Sequence, residues 1–276
     1  MRLPLSVLRF RLLGWIFLAG NQNLSNVPVG VRLLSEQSQH TPLGATKEKD
    51  DMHIVIEGID GSGKSTLVNA LYDRVQADHS FSPWIYKTRE PGSDIVGPCN
   101  IKFKRKGLDV REIVLNDTIL TPFQRELLFY VDADQHAQFI KDQGPAIIIS
   151  DRGVWSHLAY AYATLKTKQM TYEQYLLCKD LIKQTCSKPD IIVYLKGDRE
   201  LMSTRLASKK KDVIESNGPE FFDSVSSCYA ELSCEPKYAK SLLILDAKNS
   251  TSHNTESVVT YLKENYTYEQ LKSGSI

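Results

Sequence analysis

The residues best equipped for chemistry stand together as Gly58-Ile59-Asp60-Gly61-Ser62-Gly63-Lys64-Ser65-Thr66. They follow the pattern G-x-x-x-x-G-K-[ST]. Its glycines let successive backbone N–H groups face inward as a nest, and a helix starting near Lys64 adds the positive end of its dipole. Such a nest suits a polyphosphate. Lys64 is placed to bridge the β- and γ-phosphates of a nucleotide, and the Ser65 hydroxyl to take one position on Mg²⁺.

A loop of this kind needs a strand before it and a helix after it. Apolar, β-branched runs at residues 53–57, 84–88, 146–150, 190–195 and 242–246 read as strands. The unbroken Ile147-Ile148-Ile149 is the pattern of a strand covered on both faces. Amphipathic segments lie between these runs: Leu67, Leu71 and Val75 share a helical face, and Leu127, Leu128, Val131, Phe139 and Ile140 do so less regularly. The alternation predicts βαβ units wound into a three-layer α/β domain with a five-stranded parallel sheet. Ligands in such sheets bind at the carboxyl ends of the strands, where the glycine-rich loop falls.

The whole-chain numbers set bounds. Of 276 residues, 34 are Lys or Arg and 33 Asp or Glu, a net charge of +1 that provides no broad field for nucleic acid. No apolar stretch approaches the roughly 20 residues of a spanning helix, so no membrane association is expected of the domain. Five scattered cysteines (Cys99, Cys178, Cys186, Cys228, Cys234) without C-x-x-C spacing argue against zinc or a disulfide framework and for a reducing compartment. Residues 1–35 hold no acidic side chain, carry Arg2, Arg9, Arg11 and Arg32, and include an apolar run from Leu12 to Ala19, the composition of a leader. Residues 36–51 turn polar and then charged, as a joint does. Three readings compete for 1–51: an organelle transit peptide, a secretory leader or anchor, and a start of translation at Met52. The last is preferred, because Met52 immediately precedes the first strand. The folded domain is expected over 52–272, in the cytoplasm, or in the mitochondrion or another organelle if 1–51 is a transit peptide.

Further motifs narrow the class. Thr88-Arg89-Glu90-Pro91-Gly92 follows the second strand, Arg111-Glu112-Ile113-Val114-Leu115-Asn116 opens a helix, Glu126 to His136 lies on the next, and Ser150-Asp151-Arg152 ends the third strand. Lys188-Pro189-Asp190, Asp212-Val213-Ile214-Glu215, Phe221-Phe222 and Asp246-Ala247 come after them. In this order and spacing they resemble the thymidylate kinase family, from Met52 to about Tyr266, with a bacterial-type phosphate loop and lid. The resemblance implies a phosphate-loop nucleoside monophosphate kinase fold, ATP and Mg²⁺ as cofactors, phosphorylation of dTMP to dTDP, small nucleotides as partners, and a homodimer. Such an enzyme must hold two anions end to end, so it needs cations between them and must exclude water. By resemblance, Arg111 contacts the acceptor phosphate, Arg152 clamps phosphate, and Asp151 meets the Mg²⁺ waters. Asp60 faces the sugar 3′-hydroxyl or the metal waters, Phe129 stacks on the pyrimidine, and Glu90 and Pro91 line the base pocket through a cis peptide. Arg205 lies with the donor nucleotide. Gly61 stands where the other subtype has an arginine, so Lys209, Lys210 and Lys211, at the lid, are expected to supply the transition-state cation.

The pattern also breaks. The family's base-reading arginine is Ala133 here, and a second polar group at the base is Ala161. Buried hydrogen-bond readout rejects wrong substrates most sharply, so the preference for thymine is left open, and a kinase for another or 5-substituted pyrimidine deoxynucleotide is the runner-up. Residues 94–108, with Lys102, Lys104, Arg105 and Lys106, form an insertion that is either a solvated excursion or a flap over the acceptor site. A phosphate-loop ATPase or switch without an acceptor nucleotide is the reading from another class; Arg111 and the T-R-E-P-G loop argue against it.

Overall fold

In the computed structural model, residues 51–198, 200, 204–205 and 212–273 are described. The strands in chain order are β1 (Met52–Glu57), β2 (Ile85–Arg89), β3 (Asp94–Val96), β4 (Lys102–Lys104), β5 (Ile147–Asp151), β6 (Ile191–Lys196) and β7 (Leu242–Asp246). The helices are α1 (Lys64–Gln76), α2 (Arg111–Asn116), α3 (Pro122–Asp142), α4 (Val154–Lys166), α5 (Tyr172–Thr185), α6 (Pro219–Ser233), α7 (Thr251–Asn265) and α8 (Tyr268–Ser273).

One sheet, ordered β4-β3-β2-β5-β1-β6-β7, carries the fold. Its five parallel members are the five expected strands, each bounded within a residue of expectation. The sheet is wider than expected, however, at seven strands: the insertion supplies β3 and β4 as an antiparallel hairpin on the β2 edge. Two residues in the left-handed region, Cys99 (φ 56°) and Asn100 (φ 61°), turn that hairpin. Strands of three residues, one of them Lys-Phe-Lys, carry too little pattern to be told from a solvated charge run, although lysines on an exposed edge are a usual guard against further pairing.

The runs of β1, β5 and β6 are buried on both faces, which is why they form the centre of the sheet, while β7, at the edge, leaves Ile244 exposed. On one face Ile54, Ile56, Ile147 and Ile149 meet Leu67, Leu71 and Val75 of α1 and Val258 and Leu262 of α7. On the other, Ile192 and Tyr194 meet Trp155 and Ala159 of α4 and Val225 and Tyr229 of α6. Helix α3 starts at a capping box, with Thr121 and Gln124 each accepting from the other's backbone N–H. It buries Phe129, Tyr130, Ala133, His136, Phe139 and Ile140, while Val131, expected on the inner face, is exposed. At 3.6 residues per turn Val131 lies off the Phe129–Ala133–His136–Ile140 stripe.

Candidate active site

Strand β1 delivers the chain into the glycine-rich loop. Gly58 has φ 146°, and a Cβ there would come within 2.7 Å of the Leu195 carbonyl oxygen, so neither the conformation nor the space admits a side chain. Gly63, at φ 100°, precedes the first residue of α1. Lys64 Nζ donates to the Ile59 carbonyl at 2.8 Å across the loop. Burial, reinforced by the nearby Arg152 guanidinium, lowers the Lys64 pKa to about 8.

Parallel pairing of β1 with β5 sets Asp151 beside the loop. Ser65 Oγ donates to Asp151 Oδ2 at 2.5 Å. Two hard oxygen donors at the edge of a phosphate nest fit Mg²⁺, which keeps most of its shell for water and phosphate oxygens. Arg152 follows with φ 79°, a conformation costly for a residue with a side chain, and its N–H bonds the Ile56 carbonyl at 3.0 Å. Its guanidinium pairs with Asp60, donates to Ser156 Oγ at 3.2 Å and lies over the Tyr160 ring at 5.2 Å. Tyr160 donates its hydroxyl proton to Asp60 Oδ2 at 2.5 Å. Although burial works against ionisation, Arg152 and Lys64 hold the Asp60 carboxyl below the usual carboxylate range.

The T-R-E-P-G loop leaves β2 beside these groups. Its Glu90–Pro91 peptide is cis, as expected, and Pro91 O accepts from Arg111 Nη1 at 2.7 Å. Burial first, then the neighbouring Arg89 and Arg152 charges, lower the Arg111 pKa. The Glu90 carboxylate is engaged on both oxygens, by His136 Nδ1 and by His157 Nε2 at 2.6 Å. Beyond His136 the contacts continue through Thr88, Ser150 and His53, each at 2.8 Å. Glu90 thus lines the cavity while its carboxylate also fixes two histidines, its burial countered by their charge.

The insertion is corrected. Arg105 is only 6% exposed. It donates to Gly92 O at 3.0 Å, to Asp132 O at 3.1 Å and to Asp132 Oδ1 at 2.6 Å, while Asp132 Oδ2 accepts from Gly92 N at 3.2 Å. Part of the charge run is therefore a clamp on the T-R-E-P-G loop, and Lys102, Lys104 and Lys106 are its exposed remainder.

One cavity of about 610 Å³ brings together Asp60, Gly61, Ser62, Gly63, Lys64, Ser65, Thr66, Glu90, Pro91, Arg111, Phe129, Asp151, Arg152 and Arg205. Gly58 and Ile59 stand behind it, shaping the loop without lining the cavity. Arg205 donates to the carbonyls of Gly61 and Ser62, both at 3.2 Å, and of Ala247 at 3.1 Å, so it braces the loop. Lys209, Lys210 and Lys211 lie outside the described residues. Sequence reasoning missed Arg89, Glu126, His157 and Tyr160, which share the lining. Arg89, Glu126 and, in Ala159-Tyr160-Ala161, Tyr160 stood inside recognised motifs; His157 did not. Burial raises the Glu126 pKa to about 7, and its Oε2 accepts from the Tyr130 hydroxyl at 3.0 Å. Ala133 and Ala161 are both buried and neither reaches the cavity.

Taken together, a phosphate nest, a Ser–Asp oxygen pair and four arginines around one cleft can align two phosphorylated ligands for group transfer. The comparisons agree in kind. A family model described as thymidylate kinase matches residues 56–258. A thymidylate kinase of Campylobacter jejuni subsp. doylei is 32% identical over 216 residues, covering 77% of this chain and all of the relative. One from Helicobacter pylori is 29% identical over 221 residues, covering 77% and 98%. Among solved structures, a Candida albicans thymidylate kinase superposes with a TM-score of 0.61 at 22% identity, covering 80% and 94% of the two chains. A deoxyadenosine kinase from M. mycoides reaches 0.59 at 16% identity, covering 77% and 100%.

Proposed function

The chain belongs to the thymidylate kinase family and phosphorylates dTMP to dTDP; from that premise we propose that MgATP is the donor and that the cavity residues divide the work as follows. The loop from Gly58 to Thr66 cradles the donor phosphates on its backbone N–H groups, with Lys64 against the β- and γ-phosphates. Ser65 and Asp151 would hold Mg²⁺, which would neutralise charge between the donor phosphates. Arg111 and Arg152 anchor the acceptor phosphate. Arg152 is aimed by Asp60 and Tyr160, and Phe129 is the platform for the base.

An acceptor phosphate oxygen forms a bond to the γ-phosphorus as the bond from that phosphorus to the β–γ bridging oxygen breaks, and the electron pair leaves with ADP. No proton need move from the protein. Charge accumulates on the transferring oxygens, and Lys64, Arg152 and the lid lysines Lys209, Lys210 and Lys211 stabilise it.

The observation that carries this reading is the meeting of Lys64, Arg111 and Arg152 in one cavity, cations suited to two phosphate groups rather than one. A panel of deoxynucleoside monophosphates with coupled ADP detection tests it. ADP release should depend on added dTMP, and ADP formed equally without an acceptor would instead make the protein an ATPase or switch. Association into a homodimer belongs to the same proposal, and a monomeric mass by light scattering would remove that part. Among the described residues no helix is long and apolar enough to cross a membrane, and we place the kinase in the cytoplasm.

A further inference from the structure

The α3–α4 side of the cavity carries polar groups that the phosphate chemistry does not use. Glu126 precedes Phe129 by one helical turn on α3, so both present to the same cavity. His157 of α4 lines it as well, its ring 6.3 Å from that of Phe129 and 5.9 Å from that of Tyr130. With Nε2 committed to Glu90, Nδ1 is the ring nitrogen left for a ligand. Glu126 accepts one hydrogen bond from Tyr130, and an ionised carboxylate has further lone pairs to offer. The groups around Glu126 are Arg125 and Tyr130 on its own helix and His157 and Thr164 on α4. Despite burial, the bond to Glu90 raises the His157 pKa, and in the imidazolium form its Nδ1–H is a donor.

A pyrimidine stacked on Phe129 therefore meets a carboxylate acceptor and an imidazole N–H donor. Thymine offers the wrong complement, a 4-keto acceptor beside an N3–H donor. Cytosine offers a 4-amino donor beside an N3 acceptor, and a carboxylate is the side chain that pairs with that amino group. Ala133 and Ala161 bring no donor to the cavity that would favour a keto oxygen.

We propose that the protein also phosphorylates a deoxynucleoside monophosphate whose pyrimidine carries a 4-amino group, Glu126 accepting from that group and His157 donating to the ring N3. The proposal rests on the reading of this cavity as the acceptor site. The bond changes are those of the dTMP reaction: the 5′-phosphate oxygen bonds to the γ-phosphorus of ATP as the bond to the β–γ bridging oxygen breaks, and ADP departs with the electron pair.

The test measures kcat/KM for dTMP, 5-methyl-dCMP, dUMP, dCMP and dAMP at about pH 8, where Glu126 is ionised. Within each pyrimidine pair, dTMP with 5-methyl-dCMP and dUMP with dCMP, only the 4-keto and 4-amino edge is exchanged. For the full chain, dCMP should reach within about tenfold of dTMP, and dAMP should fall far below both. In Glu126→Gln, whose amide donates to a keto oxygen as readily as it accepts, both amino-to-keto ratios should drop by about tenfold or more. Turnover of dTMP with dCMP no better than dAMP, or ratios that Glu126→Gln leaves unchanged, would overturn the proposal and leave the acceptor-site reading standing. Turnover of no pyrimidine nucleotide would overturn both. The unsubstituted protein's ratios need no variant, so a poorly folding Glu126→Gln leaves the test intact.

Discussion

Two buried ionisable side chains of this cavity are held in forms the fold itself disfavours. Lys64 has its pKa lowered to about 8 by burial and by Arg152, so the folded protein gains nothing from its charge. Lys64→Ala should leave the Tm nearly unchanged while kcat falls about a hundredfold or more, a split read by calorimetry beside steady-state kinetics. Glu126 is the complementary case. Its folded pKa of about 7 exceeds the ordinary 4.5, so folding binds its proton more tightly than the unfolded chain does. The stability that goes with that proton is fully present below the unfolded value and is lost as pH rises through about 7. Glu126→Gln, which carries no charge to bury, should therefore unfold at a higher temperature than the parent at pH 8, by roughly 5 °C for a gain on the order of 2 kcal/mol, with the difference vanishing toward pH 4. Thermal melts across that range check it, and a variant less stable at pH 8 would contradict the assigned cost of burial. A side chain whose removal stabilises the protein is one that the fold did not require.

At the level of elements, the insertion changes meaning once its partners are known. The hairpin of β3 and β4 leads Arg105 back to Gly92 and Asp132, so an edge addition to the sheet fixes the loop that carries Arg89, Glu90 and Pro91. Both members of that pair are buried, Arg105 at 6% and Asp132 at 1% exposure. Truncating one partner of such a pair strands the other charge, a change worth about 3–5 kcal/mol. Arg105→Ala should accordingly lower the unfolding free energy extrapolated from denaturant curves by that amount, and it should raise KM for the acceptor more than KM for ATP, since the loosened loop also positions Arg111 through the Pro91 carbonyl. An unchanged ratio of the two KM values would show that the clamp serves stability alone. The core behind these elements is more ordinary: Leu71 is fully buried among Ile54, Val75 and Ile147.

For the molecule as a whole, the near balance behind the net charge of +1 is repeated in the cavity, where five cations stand among six carboxyl side chains. Lys64, Arg89, Arg111, Arg152 and Arg205 share one cavity, and Arg111 is held there against the charges of Arg89 and Arg152. A phosphate ligand relieves that repulsion. ATP and dTMP at about a hundred times their dissociation constants should each stabilise the folded chain by about 2.7 kcal/mol, visible as a rise in Tm that Lys64→Ala reduces for ATP but not for dTMP.

The sequence by itself determined the five parallel strands and the phosphate loop, because continuous burial leaves an unbroken apolar run and a phosphate nest demands glycines at fixed spacing. It also placed Arg111, Phe129, Asp151 and Arg152, which sit inside motifs that keep their order. Only the tertiary structure decided what the remaining polar residues face. His157 and Tyr160 lie on a helix that looks like ordinary core, and only the packing of α4 against α3 and the loop turns them toward the cavity. Glu90 lines the cavity but is also engaged by His136 and His157, and Arg105, inside a charge run, is buried against Asp132. The physical reason is shared: local spacing fixes the face on which a side chain projects, whereas its hydrogen-bond partners come from 27 residues away for Arg105 and 67 for the Glu90–His157 pair.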